Sequence, residues 1–146
     1  MPNITECKID ANGNKFWYLN NKRHREDGPA VEYSNGDKSW FLNGKLHRED
    51  GPAVEYVNGS KFWYLNGKLH REDINPETGL TCHAVEYANG NKYWFLNNKY
   101  HREDGPACEW ADDGRTYYYI NNKHIPQLDN KRIYGKENLQ KYLILI

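Results

Sequence analysis

The sequence predicts an all-β fold: an antiparallel array of about five β-hairpin repeats, each 23 residues long, followed by a C-terminal α-helical cap. Three observations carry this. Turn glycines recur at Gly13, Gly36, Gly59 and Gly90, with a last relative at Gly114, at spacings of 23, 23, 31 and 24 residues. A fixed period of this kind marks one supersecondary unit repeated along the chain. The aromatic runs KFWYL, KSWFL, KFWYL, KYWFL and TYYYI are rich in residues that suit a pleated surface. Finally, the segments AVEY, AVEY, AVEY and ACEW each join the next aromatic run through Asn-Gly or Asp-Gly, the strongest short hairpin signal.

The elements follow in order. The opening segment PNITECKID has lost the AVEY pattern and is predicted to form an irregular first strand. In each unit the aromatic run ends at a second Asn-Gly or Asn-Asn turn, at Asn20, Asn43, Asn66, Asn97 and Asn121. That turn sends the chain back through Lys-x-His-Arg-Glu-Asp-Gly-Pro to the next hairpin. Units stacked by a simple operation need an even number of strands, so two are assigned per unit and HREDGP is read as a corner. The step of 31 residues holds an insertion, Ile74 to His83, in place of the usual Gly-Pro, and the step of 24 holds one extra Asp. The last unit, RTYYYINNKHIPQL, loses HRED. After it, Leu139, Tyr142, Leu143 and Ile146 fall at helical spacing and predict a helix that covers the end of the array. The organisation is thus a repeat array over residues 1–124, with an insertion loop at 74–83, and a capping segment over 125–146.

Composition narrows the function. Lys plus Arg and Asp plus Glu number 20 each, so no net field favours general nucleic-acid binding. A hydrophobic content of 38% with 12 Tyr and 5 Trp describes a folded protein with a thin core rather than a disordered chain. Cys7, Cys82 and Cys108 stand at unrelated spacings, which argues against a disulfide framework and a zinc quartet and favours a reducing cytoplasm. No segment reads as a membrane span or as the apolar core of a signal peptide, so no membrane partner is expected.

The 23-residue period, the hairpin with its turn glycine and the aromatic-x-x-Asn-Gly-Lys-x-His corner resemble MORN repeats, in particular the bacterial and viral variant with HREDGPA corners. The resemblance covers about Ala11 to Lys123. It implies an elongated, single-layer antiparallel sheet used as an interaction scaffold, and some bacterial members of the family are described as antitoxins. Typical units carry more glycine in their strands and lack the Arg-Glu-Asp insertion, so no lipid-binding role is carried over.

Alternation along the strands sends Trp17 and Leu19 to one face and Phe16 and Tyr18 to the other. Trp40/Leu42, Trp63/Leu65 and Trp94/Leu96 repeat the first column, which is expected to form the core side. Phe41, Phe62, Tyr64, Tyr93 and Phe95 form the second, which is expected to be partly exposed and to offer a ring-lined platform to a protein partner. Arg48, Arg71 and Arg102 are candidate contacts beside it. Asn75, Glu77, Thr78 and His83 are candidates in the insertion, where repeat proteins often place recognition.

The quartet at His24, His47, His70 and His101 presents imidazole, guanidinium and two carboxylates together, a set that could move protons or bind metal. Four near-identical copies at corners roughly 10 Å apart point instead to architecture, because they do not converge on one metal or proton. The acids and arginines are expected to pair within and between corners. Cys82 and His83 suggest a nucleophile and base, but neighbours on an extended chain point to opposite sides. The expected function is therefore non-enzymatic protein binding, with no cofactor and no metal; the resemblance to the bacterial and viral repeats implies an inhibitor, immunity or anti-defence type. Alternatives are a small nucleotide-like ligand stacked between rings and clamped by arginine, an enzyme built on Cys82/His83 or one corner, and homo-oligomerisation through sheet edges.

Overall fold

The computed structural model describes residues 4–145; Ile146 and the Pro2-Asn3 start of the opening segment lie outside the described residues. The chain forms two compact units, Met1–Lys68 and Leu69–Ile146. Both are built from antiparallel hairpins in chain order, and the second carries a short C-terminal helix.

In the first unit the main ladder runs Glu6–Ile9, Lys15–Leu19, Val31–Glu32, Lys38–Ser39, Val54–Glu55 and Lys61–Phe62, each antiparallel to the next. In the second it runs Val85–Glu86, Lys92–Tyr93, Cys108–Glu109 and Thr116–Tyr117. Side-chain pairing fixes the register. Phe16 faces Val31, Val31 faces Ser39, Ser39 faces Val54 and Val54 faces Phe62. Aromatic and β-branched side chains directly opposite each other are the unit of sheet stabilisation. Loop side chains add to it: the Val57 N–H donates to Asp37 and the Ala111 N–H to Asn91, at 2.8 and 2.9 Å.

Several sequence expectations need correction. The aromatic runs from the second unit onward are not single strands but break at the tryptophan. The Trp40 N–H donates to the Ala53 carbonyl at 2.8 Å, while its own carbonyl accepts from the His47 N–H at 3.1 Å. The chain therefore leaves the main ladder at Trp40, and Phe41–Leu42 pairs with Lys45–Leu46 in a second small hairpin. Phe95–Leu96 with Lys99–Tyr100, and Tyr119–Ile120 with Lys123–His124, repeat it. From the second repeat onward each repeat thus has four short strands rather than two, still an even number, while the first keeps Lys15–Leu19 unbroken. The turn within the second hairpin needs two consecutive positive φ values, met at Asn43 (50°) and Gly44 (81°).

The first strand is regular rather than irregular, with Glu6, Cys7, Lys8 and Ile9 in unbroken register with Tyr18 to Lys15. The core is also displaced from the expected Trp/Leu column. The buried positions include the Ala-Val pairs of AVEY, Ala30/Val31, Ala53/Val54 and Ala84/Val85; of the expected column Trp94 is buried, whereas Trp17, Trp40 and Trp63 are half-buried. At the end of the second unit, Tyr118, Leu128 and Leu139 form a buried cluster with Ile125, Ile133 and Leu143 against it. The helix Lys136–Leu143 docks through Leu139 and Leu143, but Tyr142 is exposed. Among the described residues no helix is long and apolar enough to cross a membrane.

Candidate functional site

The corners come first, because they concentrate the reactive residue types. In the first unit, Arg25 Nε donates to Asp27 and Arg48 Nε to Asp50, both at 2.8 Å. The same arginines donate from Nη1 to the Pro29 and Pro52 carbonyls, at 3.3 and 3.2 Å, and to Glu32 and Glu55, at 3.3 and 3.0 Å. Each guanidinium lies over its tryptophan, its carbon 4.2 Å from the centre of the Trp17 ring and 4.0 Å from that of Trp40. This planar fork with charge-assisted bonds is what arginine supplies and lysine does not. The fold also explains the glycine of HREDG: a Cβ at Gly28 or Gly51 would sit 3.0 Å from the guanidinium carbon that folds over it. The Arg25 hydrogen bond, aided by its charge, holds the Asp27 carboxyl below its usual range, and Arg48 does the same for Asp50.

The histidines join one repeat to the next. His24 Nδ1 accepts from the Asn43 N–H at 3.1 Å and His47 Nδ1 from the Asn66 N–H at 3.0 Å. His70 and His101 accept in the same way from Asn97 and Asn121, at 3.3 and 3.2 Å. Because Nδ1 accepts, the neutral ring carries its proton on Nε2, which faces the glutamate two residues on (His24 to Glu26, 3.5 Å). Each histidine therefore satisfies a turn amide about one repeat later. Among the described residues no buried side-chain nitrogen or oxygen lacks a partner, and no group of three His, Cys, Asp or Glu is placed to hold a metal ion.

The insertion braces the following corner. Its tip is a self-contained turn: Asn75 Oδ1 accepts from the Glu77 and Thr78 N–H groups at 2.8 and 3.1 Å. Its base reaches further. Thr81 donates its N–H and its hydroxyl to Asp104, at 2.6 and 2.7 Å, and its carbonyl accepts from Trp94 Nε1 at 2.8 Å. The Arg71 Nη1 donates to the His83 carbonyl at 3.1 Å, in the role that Pro29 and Pro52 play elsewhere. The His83 ring packs edge-on to Trp94 with Nε2 3.0 Å from Glu86. Burial depresses the His83 pKa, and the bond to Glu86 only partly offsets it. Cys82, half-buried, donates its N–H to the Asp73 carbonyl. Burial, with the charge of Asp129, pushes the Cys108 thiol up to about 12, so it stays protonated.

The ring face lies on the other side of the strands. Phe62 meets Tyr56 edge to face at 5.7 Å, and Tyr93 meets Tyr87 at 5.8 Å. Phe95 packs on Tyr100 at 4.3 Å, Tyr100 on Tyr119 at 5.2 Å, and Tyr119 on His124 at 4.8 Å. In the first unit Arg23 fills the corresponding place, its guanidinium 5.3 Å from Phe16 and 5.6 Å from Phe41. Tyr64 is half-buried, its carbonyl accepting from the Arg48 N–H.

The structure thus separates residues that the sequence grouped. Arg48 and Arg102 stack on tryptophans, away from the Phe/Tyr column, so rings and arginines do not form one clamp. Basic residues that do reach the ring face are Arg23 and Lys8, the latter 5.4 Å from the Tyr18 ring; sequence reasoning missed them along with Tyr33, Tyr56, Tyr87, Tyr100 and Tyr119. A signal was available: the tyrosine of AVEY stands six residues before the strand ring across the turn. Compared with protein-family models and with curated proteins, the chain gives no match.

Proposed function

We propose that this chain is a MORN-like β-hairpin repeat module that acts without catalysis, by binding another protein through its Phe/Tyr face. One observation carries the reading. The hairpins present at one register a tyrosine, Tyr33, Tyr56 and Tyr87, exposed by 41, 45 and 43%, and each is held by an edge-to-face ring contact. A half-exposed ring already fixed in place loses little freedom on binding, which is why such residues anchor interfaces. Phe41, Phe62, Tyr64, Tyr93 and Phe95 supply the surface around them. The polar groups of the corners, Arg48, Arg71 and Arg102 included, are engaged within the fold, which leaves them a supporting role. The inhibitor, immunity or anti-defence setting, and action in the cytoplasm, of a host if the source is viral, rest on the repeat resemblance and on cysteine usage.

The test is native mass spectrometry of the protein isolated gently from host lysate, beside a Tyr33→Ala/Tyr56→Ala variant. A stoichiometric protein partner, lost in that variant, is the expected result. Because Thr81 braces a corner, the insertion is tested by Glu77→Ala/Thr78→Ala rather than by deletion; partner loss there alone would move the contact to Asn75, Glu77 and Thr78. A retained small molecule, or a homo-oligomer with no other protein, would contradict the proposal.

A further inference from the structure

The ring pattern has one gap. In three hairpins the ring that follows the Val-Glu or Cys-Glu strand packs edge-on against the ring across the turn: Tyr56 on Phe62 at 5.7 Å, Tyr87 on Tyr93 at 5.8 Å and Trp110 on Tyr117 at 6.0 Å. In the hairpin of Val31–Glu32 and Lys38–Ser39 the equivalent partner of Tyr33 is Ser39. Tyr33 turns instead to Phe16, at a longer 6.3 Å. Ser39 lies between Val31 and Val54 in the ladder, where every other hairpin places a ring. An open groove of about 860 Å³ lies over this position, walled by Tyr33, Phe41, Leu46, Val54 and Tyr56. Polar residues, among them Asn35 and Asp37, complete its lining.

We propose that the gap at Ser39 receives a tyrosine or phenylalanine side chain of the partner protein. The repeat itself defines the occupant: the place that Phe62 and Tyr93 fill in their own hairpins is held here by Ser39, which brings no ring. Tyr33 and Tyr56, partly exposed rings of the lining, are surfaces against which an aromatic side chain packs favourably, and Val54 adds an apolar side chain to it. The groove is open, so the backbone on either side of an inserted ring lies along it. This rests on the protein-binding reading and names the chemistry that the face recognises.

The experiment titrates the ¹⁵N-labelled protein with N-acetyl-L-tyrosinamide and N-acetyl-L-phenylalaninamide, with N-acetyl-L-leucinamide as control, following amide shifts. Saturable shifts confined to Tyr33, Ser39, Phe41 and Tyr56 are expected with the aromatic probes. Ser39→Phe, which supplies the ring internally, should weaken them by about tenfold or more, and Ser39→Ala should keep them. Should Ser39→Phe lose the dispersed spectrum of a folded chain, Ser39→Leu serves as the filler. No saturable shift, or equal binding in a folded filled variant, overturns the proposal. The two readings fail separately: a captured partner indifferent to filling of the gap refutes the ring site alone. Ring probes that bind while no partner is captured uphold the pocket and refute the protein-binding reading.

Discussion

The same corner occurs in both units, and the two settings differ. Around Arg25 and Arg48 it stands open, each arginine side chain 23% exposed and its aspartate at the surface. Around Arg102 the same bonds recur, to Asp104 at 2.7 Å, to the Pro106 carbonyl at 3.1 Å and to Glu109 at 3.0 Å, but the side chain is only 3% exposed. The difference comes from what covers it. Thr81 of the insertion binds Asp104 from one side. From the other, the Gly135 N–H donates to the Asp104 carbonyl at 2.8 Å, Lys136 pairs with Glu103 at 2.5 Å, and the Tyr134 ring lies 5.7 Å from the guanidinium. The lesson is that one motif, unchanged in its own bonds, is a surface brace in one setting and a buried ionic node in another. Its energetic weight is set by the segments that break the repeat.

The largest expected effect follows directly. Arg102→Ala leaves Asp104 and Glu109 without their cation in a covered site and should cost about 3–5 kcal/mol. Arg48→Ala, where water reaches the same carboxylates, should cost about 1 kcal/mol. Urea denaturation of the two variants measures this, and equal losses would break the comparison. Next comes the cover itself. Leu139→Ala removes a fully buried side chain beneath the helix and should cost about 2–4 kcal/mol. It should also raise hydrogen exchange at Arg102 to Glu109 while leaving Arg48 to Glu55 unchanged.

Smaller effects depend on pH. Burial holds His83 below its usual 6.5, so the unfolded chain binds its proton first. Stability contributed by neutral His83 is complete above 6.5 and declines as pH falls from there toward the lowered folded value. Glu86 opposes this shift, whereas Lys92 and Arg71 reinforce it. Wild type should therefore lose more stability than His83→Gln between about pH 7.5 and pH 5.5. At Asp104 burial works to raise the carboxyl, but Thr81 and Arg102 outweigh it and hold it low. Its contribution is present above the usual 3.8 and is lost as pH falls through the depressed value. The smallest effect belongs to His47→Ala, which frees one exposed turn amide and should cost about 0.5–1 kcal/mol with partner binding nearly intact. Complete loss of function in a folded His47→Ala protein would overturn the structural reading of the corner.

Much of this was legible in the sequence. The glycine period, the Asn-Gly turns and the alternation within KFWYL specify hairpins, and the spacing of Leu139 and Leu143 specifies a docked helix. The break at Trp40 was not legible, because a run of strand-forming residues does not reveal where a strand changes partners. Nor was the burial of Ala53 and Val54 over Trp40, which depends on a guanidinium lying on the indole. The bond from His47 to Asn66 joins residues 19 apart, and only the stacking of neighbouring repeats brings them together. Ser39 is visible as an exception in KSWFL, but its meaning appears only when the register sets it opposite Val31 and Val54.

The most direct test of the corners as architecture is the tautomer of their histidines, read by long-range ¹H–¹⁵N correlation. His24, His47, His70 and His101 are expected to show a protonated Nε2 and an unprotonated, hydrogen-bonded Nδ1, with slow exchange at the Asn43, Asn66, Asn97 and Asn121 amides. Rings that average freely between tautomers, or carry the proton on Nδ1, would contradict it and return the quartet to the list of candidate reactive sites.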